Sequence, residues 1–347
     1  MAAEATTDLP TVTALAKVRH GQDSVELIER PWRDPGAGEV AIEVCAVGVC
    51  GTDLHIAADE YPNDPPVVMG HEVFGVVADL GDGVDASWSR QRVVCETYFT
   101  TCETCQWCRD GRRNLCPWRR SIGSWRDGGF SARMILPASN LHRVPEEVSD
   151  HAAALAEPLA CVCHSLLDPP VFNAGDRMLV TGPGPMGLLA AQVARACGCA
   201  VTVKGVERDQ PRLEIARELG LTATTEQPAD GSFDVVLECS GSAGGAASAV
   251  AAVRRAGRYV GIGIFGRPIQ VDLDQLLYKE LVMTSGFAST SQSWRRALTL
   301  MREGSVQLDP LVTRVAPLTE WRDVFDDLRN GRGLKVLFDP RILPANS

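Results

Sequence analysis

Residues 178–187 read Met-Leu-Val-Thr-Gly-Pro-Gly-Pro-Met-Gly, an apolar run that passes directly into a glycine-rich turn. Gly182 permits the tight turn, Gly184 lets backbone approach a pyrophosphate, and Gly187 lets a helix pack closely on the strand. A helix that starts at Pro185 would offer free N–H groups and its positive dipole end to phosphates. The spacing alone is weak, and a glycine-rich turn in another α/β fold is the alternative. With a strand before it and a helix and second strand after it, the motif predicts dinucleotide binding.

Two different sequence patterns are visible along the chain. Strands are predicted at 178–181, 200–203, 234–238 and 259–263, with helices at 185–197, 211–219 and 246–255. Such alternation is typical of a doubly wound parallel sheet with helices on both faces. Up to about residue 155, short apolar runs lie between turn residues, which indicates a β-rich region, and the end of the chain predicts one helix and one strand. The short apolar runs of the first region are 40–44, 73–77 and 93–97. The helix and the strand predicted at the end of the chain are 320–329 and 334–338.

Composition excludes several partner classes. The chain has 347 residues, enough for two domains, and a net charge of −10 that disfavours nucleic acid and anionic membranes. The first ten residues, MAAEATTDLP, lack the apolar run of a secretory signal, and no apolar stretch approaches the length of a membrane span. We therefore expect a cytoplasmic protein with a small-molecule substrate. There its 12 cysteines would be thiols, metal ligands or, as in the apolar runs at Cys197, Cys199 and Cys239, core residues.

Four cysteines are concentrated in one short segment, a lobe predicted at 95–120. Cys102, Cys105, Cys108 and Cys116 are separated by two, two and seven residues. Four thiolates at such spacing can close around one tetrahedral Zn²⁺. Three other interpretations fit less well. A ferredoxin-type cluster would need three residues, not seven, before the last cysteine, and a free-thiol loop would be prone to oxidation. A zinc ribbon that binds nucleic acid conflicts with the acidic net charge of the chain. A structural zinc site is the favoured interpretation.

A second set of candidate ligands lies earlier in the chain. Cys50 opens the run Cys-Gly-Thr-Asp-Leu-His, and His71 and Glu72 follow Gly70. Sulfur, nitrogen and oxygen donors together suit a catalytic zinc with an open coordination position. Each residue singly has a simpler interpretation, as a buried thiol, a core histidine or a surface acid. Glu157, an acid between apolar residues, would on its own be a charge at a helix N-terminus.

Taken together, these motifs resemble the zinc-dependent medium-chain dehydrogenases, most closely the sorbitol (L-iditol) and related polyol dehydrogenases and next L-threonine dehydrogenase. The matched segments run through almost the whole chain in the family's order. They are residues 50–55, 70–72, the four-cysteine lobe, 127–130, 157–160, 182–187, 238–241 and 333–335.

The resemblance implies a GroES-like β-rich catalytic domain, predicted at 1–160 and 305–347, plus a Rossmann NAD(P)-binding domain at 161–304. It implies a catalytic zinc held by Cys50, His71 and an acid, and related enzymes differ on whether Glu72, Glu157 or both touch the metal. It also implies a homodimer or homotetramer, with strands near residues 260–290 pairing across subunits. The predicted cofactor-binding residues are Gly182, Gly184, Pro185, Met186, Gly187, Gly205, Glu207, Arg208, Cys239, Ser240, Gly261, Gly263 and Lys335.

The expected reaction is hydride transfer between a secondary alcohol and NAD(P). Zinc would act as a Lewis acid on the alcohol oxygen, and in similar dehydrogenases the positions of Thr52 and His55 relay the proton. In polyol dehydrogenases a zinc-bound water beside the glutamate is the alternative to this relay. Polyol dehydrogenases often carry an Arg–aromatic pair where Ala288 and Ser289 follow Phe287 here, which argues against a hydroxyl-rich, sorbitol-like substrate. A cyclitol, an amino-polyol, L-threonine or a simple alcohol therefore stays open as substrate. Two other functional classes also stay open, a zinc-free alkene reductase and a non-catalytic zinc- and nucleotide-binding module.

Cofactor choice depends on the end of the second strand. NAD-binding sites place an acid there for the ribose hydroxyls, and relatives with aspartate align with Gly205. Without that carboxylate, Lys204 and Arg208 would be free to pair with a 2′-phosphate. Glu207 is the competing candidate for the missing acid. The sequence favours NADP or dual use by a small margin.

Overall fold

The computed structural model describes residues 10–342. Its strands, in chain order, are β1 (Thr11–Lys17), β2 (Val25–Pro31), β3 (Glu39–Gly48), β4 (Val67–Val68), β5 (Glu72–Leu80), β6 (Arg92–Cys95), β7 (Tyr98–Thr100), β8 (Arg120–Ser121), β9 (Arg133–Pro137), β10 (Leu141–Arg143), β11 (Arg177–Thr181), β12 (Ala200–Lys204), β13 (Thr222–Thr224), β14 (Phe233–Glu238), β15 (Val253–Gly261), β16 (Val282–Ser285), β17 (Val312–Ala316) and β18 (Lys335–Phe338). Its helices are α1 (Gly51–Ala57), α2 (Gln106–Arg109), α3 (Asp150–Ala153), α4 (Ala156–Leu167), α5 (Pro185–Ala196), α6 (Gln210–Glu218), α7 (Ala243–Ala252), α8 (Asp274–Lys279), α9 (Ser291–Arg302) and α10 (Trp321–Arg329).

The β-rich part is built on one large sheet, with strand order β10-β6-β5-β3-β18-β17 and β9 also paired with β3. A small sheet, β2-β1-β4, packs beside it. The last strands of the chain return here, because β18 pairs antiparallel with the end of β3. Apolar residues of β3 and β5 such as Val44, Val47 and Val73 are buried in this core. The return of β18 places Lys335 beside the segment that follows β3.

The second part is a parallel sheet with strand order β13-β12-β11-β14-β15-β16. Strand order reverses between β11 and β14, and a crevice opens at such a point outside the carboxyl ends of the strands. The glycine motif follows β11 directly. The α/β class, with a β-rich part and a doubly wound part, is therefore confirmed.

One predicted helix ends too late. The sequence predicts helix over 246–255, but α7 ends at Ala252 and Val253 begins β15. The Lys279 ammonium donates to the carbonyls of Val250, Ala251 and Val253, which satisfies the helix end from a distant element. The strand predicted at 259–263 ends at Gly261, because the next two N–H groups turn to the carbonyl of Glu238.

Helix α4 joins the two parts of the molecule. It packs against α5 and α9, while it also contacts β5 and β6 of the large sheet. The predicted domain limit at residue 160 falls inside this helix, and the domain limits stay a prediction. Among the described residues, no helix is long and apolar enough to cross a membrane.

Candidate active site

Cys50 immediately precedes α1 and is held there by Asp53. The Asp53 carboxylate accepts a hydrogen bond of 2.8 Å from the Cys50 backbone N–H. Thr52 lies in the first turn of α1, where the Cys50 thiol contacts its hydroxyl at 3.7 Å. The second predicted relay residue, His55, lies one turn further along the same helix. Local sequence therefore groups a thiol, a hydroxyl and an imidazole at one helix end.

His71 and Glu72 enter the same site from the start of β5. Gly70 before them has φ +88°, and a Cβ there would lie 2.4 Å from the Phe130 ring, so the turn needs glycine. The Nδ1 atom of His71 lies 3.5 Å from Oδ1 of Asp53, a buried oxygen with no other partner among the described residues. A carboxylate in this position orients a metal-binding imidazole through one nitrogen and leaves the other free. Sequence reasoning assigned no role to Asp53.

The donor atoms of Cys50, His71 and Glu72 come together. They all lie within 4.8 Å of one another. Thiolate, imidazole and carboxylate are the donors of catalytic zinc sites, and the orphaned Asp53 oxygen supplies the expected support for the histidine. The side chains present thus fit a zinc ion.

Glu72 is also bound by a lysine from the end of the chain. Lys335 Nζ lies 2.7 Å from both carboxylate oxygens, and both side chains are almost fully buried. Burial alone would lower the pKa of Lys335, but the charges of Glu72 and Cys50 raise it, so the ammonium stays charged. The structure places Lys335 beside the candidate metal ligand Glu72, and its predicted contact with cofactor stays a prediction.

Glu157 lies at the start of α4 and has no cationic partner among residues 10–342. Its recorded side-chain contact is the thiol of Cys161, one turn later, which donates to Oε1 at 3.3 Å. Burial raises the pKa of Glu157, with the charge of Glu72 adding to the effect and that of His71 opposing it. Sequence reasoning missed Cys161, because a cysteine in an apolar helix carries no distinguishing signal.

His55 faces away from these acids toward the surface. Its Nδ1 lies 2.7 Å from the Glu60 carboxylate, and the His55 and Glu60 side chains are 32% and 57% exposed. The ring also lies near the loop after β15, since a Cβ on Gly266 would be 3.6 Å from its Cε1. An imidazole in this place can exchange protons with solvent.

The four-cysteine lobe forms a second compact donor set. The thiols of Cys102, Cys105, Cys108 and Cys116 all lie within 4.8 Å of one another. Cys102 is 3.9 Å from Cys108 and 3.6 Å from Cys116, close to the ~3.8 Å that tetrahedral zinc with 2.3 Å bonds requires. Backbone N–H groups of Thr104 and Cys105 lower the pKa of Cys102 to about 6. The lobe fits a closed zinc site, and the short β7–β8 pair closes its base.

The glycine motif has the geometry of a pyrophosphate cradle. Gly182 has φ +96°, and a Cβ there would lie 2.8 Å from the Ser240 backbone. A Cβ on Gly187 would meet the Gly182 carbonyl at 2.1 Å, whereas one on Gly184 would meet nothing within 4 Å. Of the three glycines, Gly184 therefore leaves open space, at the position where a ligand would approach. Helix α5 begins directly after it, with Pro185 and Met186.

A buried acid holds the opposite side of the crevice. Glu238 is fully buried and accepts from the backbone N–H of Ser240, and a Cβ on Gly263 would lie 2.4 Å from its carboxylate. Gly261 ends β15, and Cys239, like Cys197, is partly buried against the core, whereas Cys199 is buried within it. Sequence reasoning did not assign Glu238, whose role here is to shape the loop that carries the predicted cofactor residues.

The loop after β12 brings a further carboxylate near the cofactor crevice. Glu207 and Arg208 are exposed, whereas Gly205 is buried with its missing Cβ 3.2 Å from both Pro183 Cγ and an Asp209 oxygen. Asp209 also accepts from the Val206 N–H at 3.0 Å. The loop thus folds Asp209 back toward the end of β12, which the sequence did not predict.

Comparisons with known proteins agree with this geometry. Residues 36–146 match the family model of the alcohol dehydrogenase GroES-like domain, and residues 185–303 match that of the zinc-binding dehydrogenases. Sorbitol dehydrogenase of Halalkalibacterium halodurans is 36% identical over 94% of this chain and 99% of its own. D-arabitol-phosphate dehydrogenase of Enterococcus avium is 29% identical over 95% and 97%. L-threonine 3-dehydrogenase of Coxiella burnetii is 31% identical over 90% and 95%.

Solved structures show the same architecture with either cofactor. A zinc-binding dehydrogenase of Sinorhizobium meliloti, bound to NADP, has a TM-score of 0.86 and 30% identity over 95% of this chain and 99% of its own. Acetophenone reductase of Geotrichum candidum, in complex with NAD, has a TM-score of 0.86 and 25% identity over 95% and 97%. The predicted pairing of a GroES-like domain with a Rossmann domain is confirmed.

Proposed function

The chain belongs to the zinc-type medium-chain dehydrogenases, and we propose that its cleft transfers a hydride between NAD(P) and a secondary alcohol of polyol, cyclitol or amino-polyol type. Alcohol or polyol oxidoreduction is common to its relatives. The observation that carries the proposal is the convergence of Cys50, His71 and Glu72 in a chain that also holds an open glycine cradle. A zinc-free reductase would need no such donor set.

The metal-site residues have distinct roles in this proposal. Cys50, His71 and Glu72 hold the zinc ion, and Asp53 orients His71. A divalent ion and the Lys335 ammonium together balance one thiolate and the two carboxylates of Glu72 and Glu157. Such balance is what makes several buried charges tolerable. Glu157, which forms no ion pair with the part of the chain that the structure describes, accepts a hydrogen bond from the substrate or completes the ligand set.

The protein supplies a path for the proton. When bound, zinc supplies Lewis acidity at the alcohol oxygen and the nicotinamide ring accepts the hydride. The Thr52 hydroxyl, beside Cys50, takes the alcohol proton and passes one on. His55, one turn away and paired with exposed Glu60, carries the proton toward solvent. Oxidation should accordingly speed up as pH rises, and reduction as it falls.

For the cofactor, we propose dual use of NAD and NADP. Gly205 offers no carboxylate to repel a 2′-phosphate, and Lys204 and Arg208 have no ion-pair partner among the described residues. Asp209, close to Gly205, supplies an acceptor for an unphosphorylated ribose. Catalytic efficiency with the two cofactors should differ by less than tenfold, about 1.4 kcal/mol. Arg208→Ala should weaken NADP selectively, and a stronger preference for NAD would contradict dual use.

For the assembly, we propose a homodimer that pairs through the edge of the parallel sheet. Strand β16 pairs only with β15 in the described chain. Leu277, Tyr278 and Val282 beside it are 71%, 61% and 56% exposed. An unpaired edge flanked by apolar side chains favours pairing with a second copy. Val282→Lys should shift the protein to monomers in analytical ultracentrifugation, and an unchanged sedimentation mass would contradict this interface.

A reducing compartment is proposed from the cysteines. All 12 are free thiols, and eight of them, outside the lobe, show no sulfur–sulfur contact. Such a set is stable where thiols stay reduced, as in a cytoplasm. Loss of bound zinc under oxidising conditions is the measurable consequence.

A substrate panel tests the proposed function. Polyols, inositols, amino-polyols, threonine and simple alcohols should be assayed with both cofactors by nicotinamide absorbance. We expect oxidation of at least one secondary alcohol, and loss of that activity in Cys50→Ala. Absence of hydride transfer with every alcohol, in protein that holds zinc and binds cofactor, would contradict the proposal and favour a binding module.

A further inference from the structure

We propose that Arg119 and Arg120 form an anion-binding site at the rim of the cleft, so that the preferred substrate is a polyol carrying a phosphate or carboxylate group away from its reacting carbon. This inference rests on the proposed function and narrows it. It excludes the cationic amino-polyols as preferred substrates.

The first observation is a local excess of positive charge. Residues 109–126 contain six arginines and a single acid, Asp110, in a chain whose net charge is −10. Of the six, Arg113 alone forms an ion pair within residues 10–342, with Glu103 at 2.8 Å. A cleft edge of one charge sign raises the local concentration of an oppositely charged substrate.

The second observation is how Arg119 and Arg120 are held. Arg119 lies over the rings of Phe287, at 4.7 Å, and Tyr98, at 5.5 Å, and Arg120 lies over Trp125 at 4.4 Å. Stacking uses the face of a guanidinium and leaves the N–H groups at its edge available. Their recorded hydrogen bonds are single contacts of 3.3 Å and 3.2 Å to backbone carbonyls. Most donors of these two half-buried guanidinium groups therefore have no acceptor within residues 10–342.

The aromatic partner of Arg119 belongs to one wall of the cleft. Phe287 follows Gly286, where a Cβ would lie 2.4 Å from the Ser165 hydroxyl. Ser165 lies on α4, eight residues after Glu157, which is about 12 Å along a helix. The Phe287 carbonyl also accepts from Asn114 of the lobe at 2.9 Å. This wall thus runs from Glu157 to Arg119.

The aromatic partner of Arg120 belongs to the other wall. Trp125 lies in the turn between Gly123 and Gly128, and Cβ atoms on those glycines would meet the Gly70 carbonyl at 3.0 Å and 2.0 Å. Gly70 directly precedes His71. The adjacent arginines therefore reach from the wall that carries Glu157 to the wall that carries His71.

The chemistry of the pair selects an oxyanion. Guanidinium groups bind phosphate and carboxylate through two parallel hydrogen bonds, so the free N–H groups of either arginine can hold one oxyanion. Because α4 rises ~12 Å from Glu157 to Ser165, the anionic group would lie at the end of an extended polyol remote from its reacting carbon. A neutral polyol would leave these donors to water.

The test compares matched substrates in matched variants. Sorbitol against sorbitol 6-phosphate distinguishes a phosphate, and sorbitol against gluconate distinguishes a carboxylate. Wild type should have at least a tenfold higher kcat/KM for one anionic member. Arg119→Ala and Arg120→Ala should lower that value about 10- to 100-fold and leave sorbitol unchanged. Arg109→Ala, an exposed arginine of the same lobe, should leave both unchanged.

A binding readout separates this role from a structural one. Inorganic phosphate should compete with the anionic substrate in wild type and more weakly in Arg119→Ala, with the thermal midpoint followed in every variant. A preference for sorbitol, or an equal loss on both substrates in the two variants, would overturn the anion site while hydride transfer stands. Failure to oxidise any alcohol, charged or neutral, would instead overturn the proposed function.

Discussion

The four-cysteine lobe and the Cys50–His71–Glu72 site are two ways of assembling donors for the same metal. The lobe takes four identical donors from 15 consecutive residues, and its sulfur atoms are already near tetrahedral spacing. The cleft site takes three kinds of donor from separate elements, with an orphaned carboxylate and a buried lysine around them. Donors close in sequence make a closed site that stabilises the fold. Donors from separate elements make a site with room for a substrate.

Removal of a candidate ligand from the cleft should have the largest effect. Cys50→Ala should lower kcat/KM by about 1,000-fold or more, since Lewis acidity contributes several kcal/mol to the transition state. The thermal midpoint should change little, because the fold does not depend on this site for closure. Steady-state rates and calorimetry check both parts. A variant that keeps its activity, or one that unfolds, would contradict the division of roles.

Loss of a cysteine from the lobe should lower stability and leave catalysis largely intact. Cys105→Ala opens the lobe and should lower the thermal midpoint by about 5 °C or more, as expected for loss of a few kcal/mol. The folded fraction should keep catalytic efficiency on small alcohols within about threefold, a factor worth less than 1 kcal/mol. An unchanged midpoint would show that the lobe adds no stability.

A milder change concerns Glu157, the buried acid at the start of α4. Glu157→Gln should reduce turnover about 10- to 100-fold, the usual loss when a group supporting a metal site is altered, with cofactor affinity little changed. Glu146→Gln, an exposed acid before α3, is the matched control and should be silent. Near-normal turnover in Glu157→Gln would refute its role at the metal.

The smallest expected effect is the pH dependence of stability that comes from His164 on α4. Burial, with the charge of Arg112 adding to it, lowers the pKa of His164 from its ordinary value of 6.5. The unfolded chain therefore takes up a proton near pH 6.5 before the folded chain does. This part of the stability is complete above that pH and is lost as pH falls below it. The groups facing the ring are Asn114, at 3.3 Å, and Asp168, at 3.8 Å.

The measurement is the thermal midpoint of wild type and His164→Gln from pH 7.5 to 5. Glutamine keeps a group that can bond to Asn114 but does not titrate in this range. The difference between the two midpoints should shift in favour of the variant as the solution becomes acidic. Parallel curves over the whole range would rule out a contribution from His164.

The sequence predicted the features that depend on residues close together in the chain. The cysteine lobe, the strand–turn–helix at Gly182 and most element boundaries follow from local pattern, and the structure agrees to within a few residues. It did not reveal contacts that join distant segments. The Lys335–Glu72 pair spans 263 residues, and Lys279 ends α7 from 26 to 29 residues away. Asp209 was missed because its approach to Gly205 depends on how the loop after β12 folds back, which no motif specifies.

Zinc content and hydride transfer should be measured in the same samples. We expect two zinc ions per chain in active wild type and about one in Cys50→Ala and in Cys105→Ala. Activity should disappear in the first variant and thermal stability should fall in the second. Fully active wild-type protein with one zinc ion per chain would contradict this expectation.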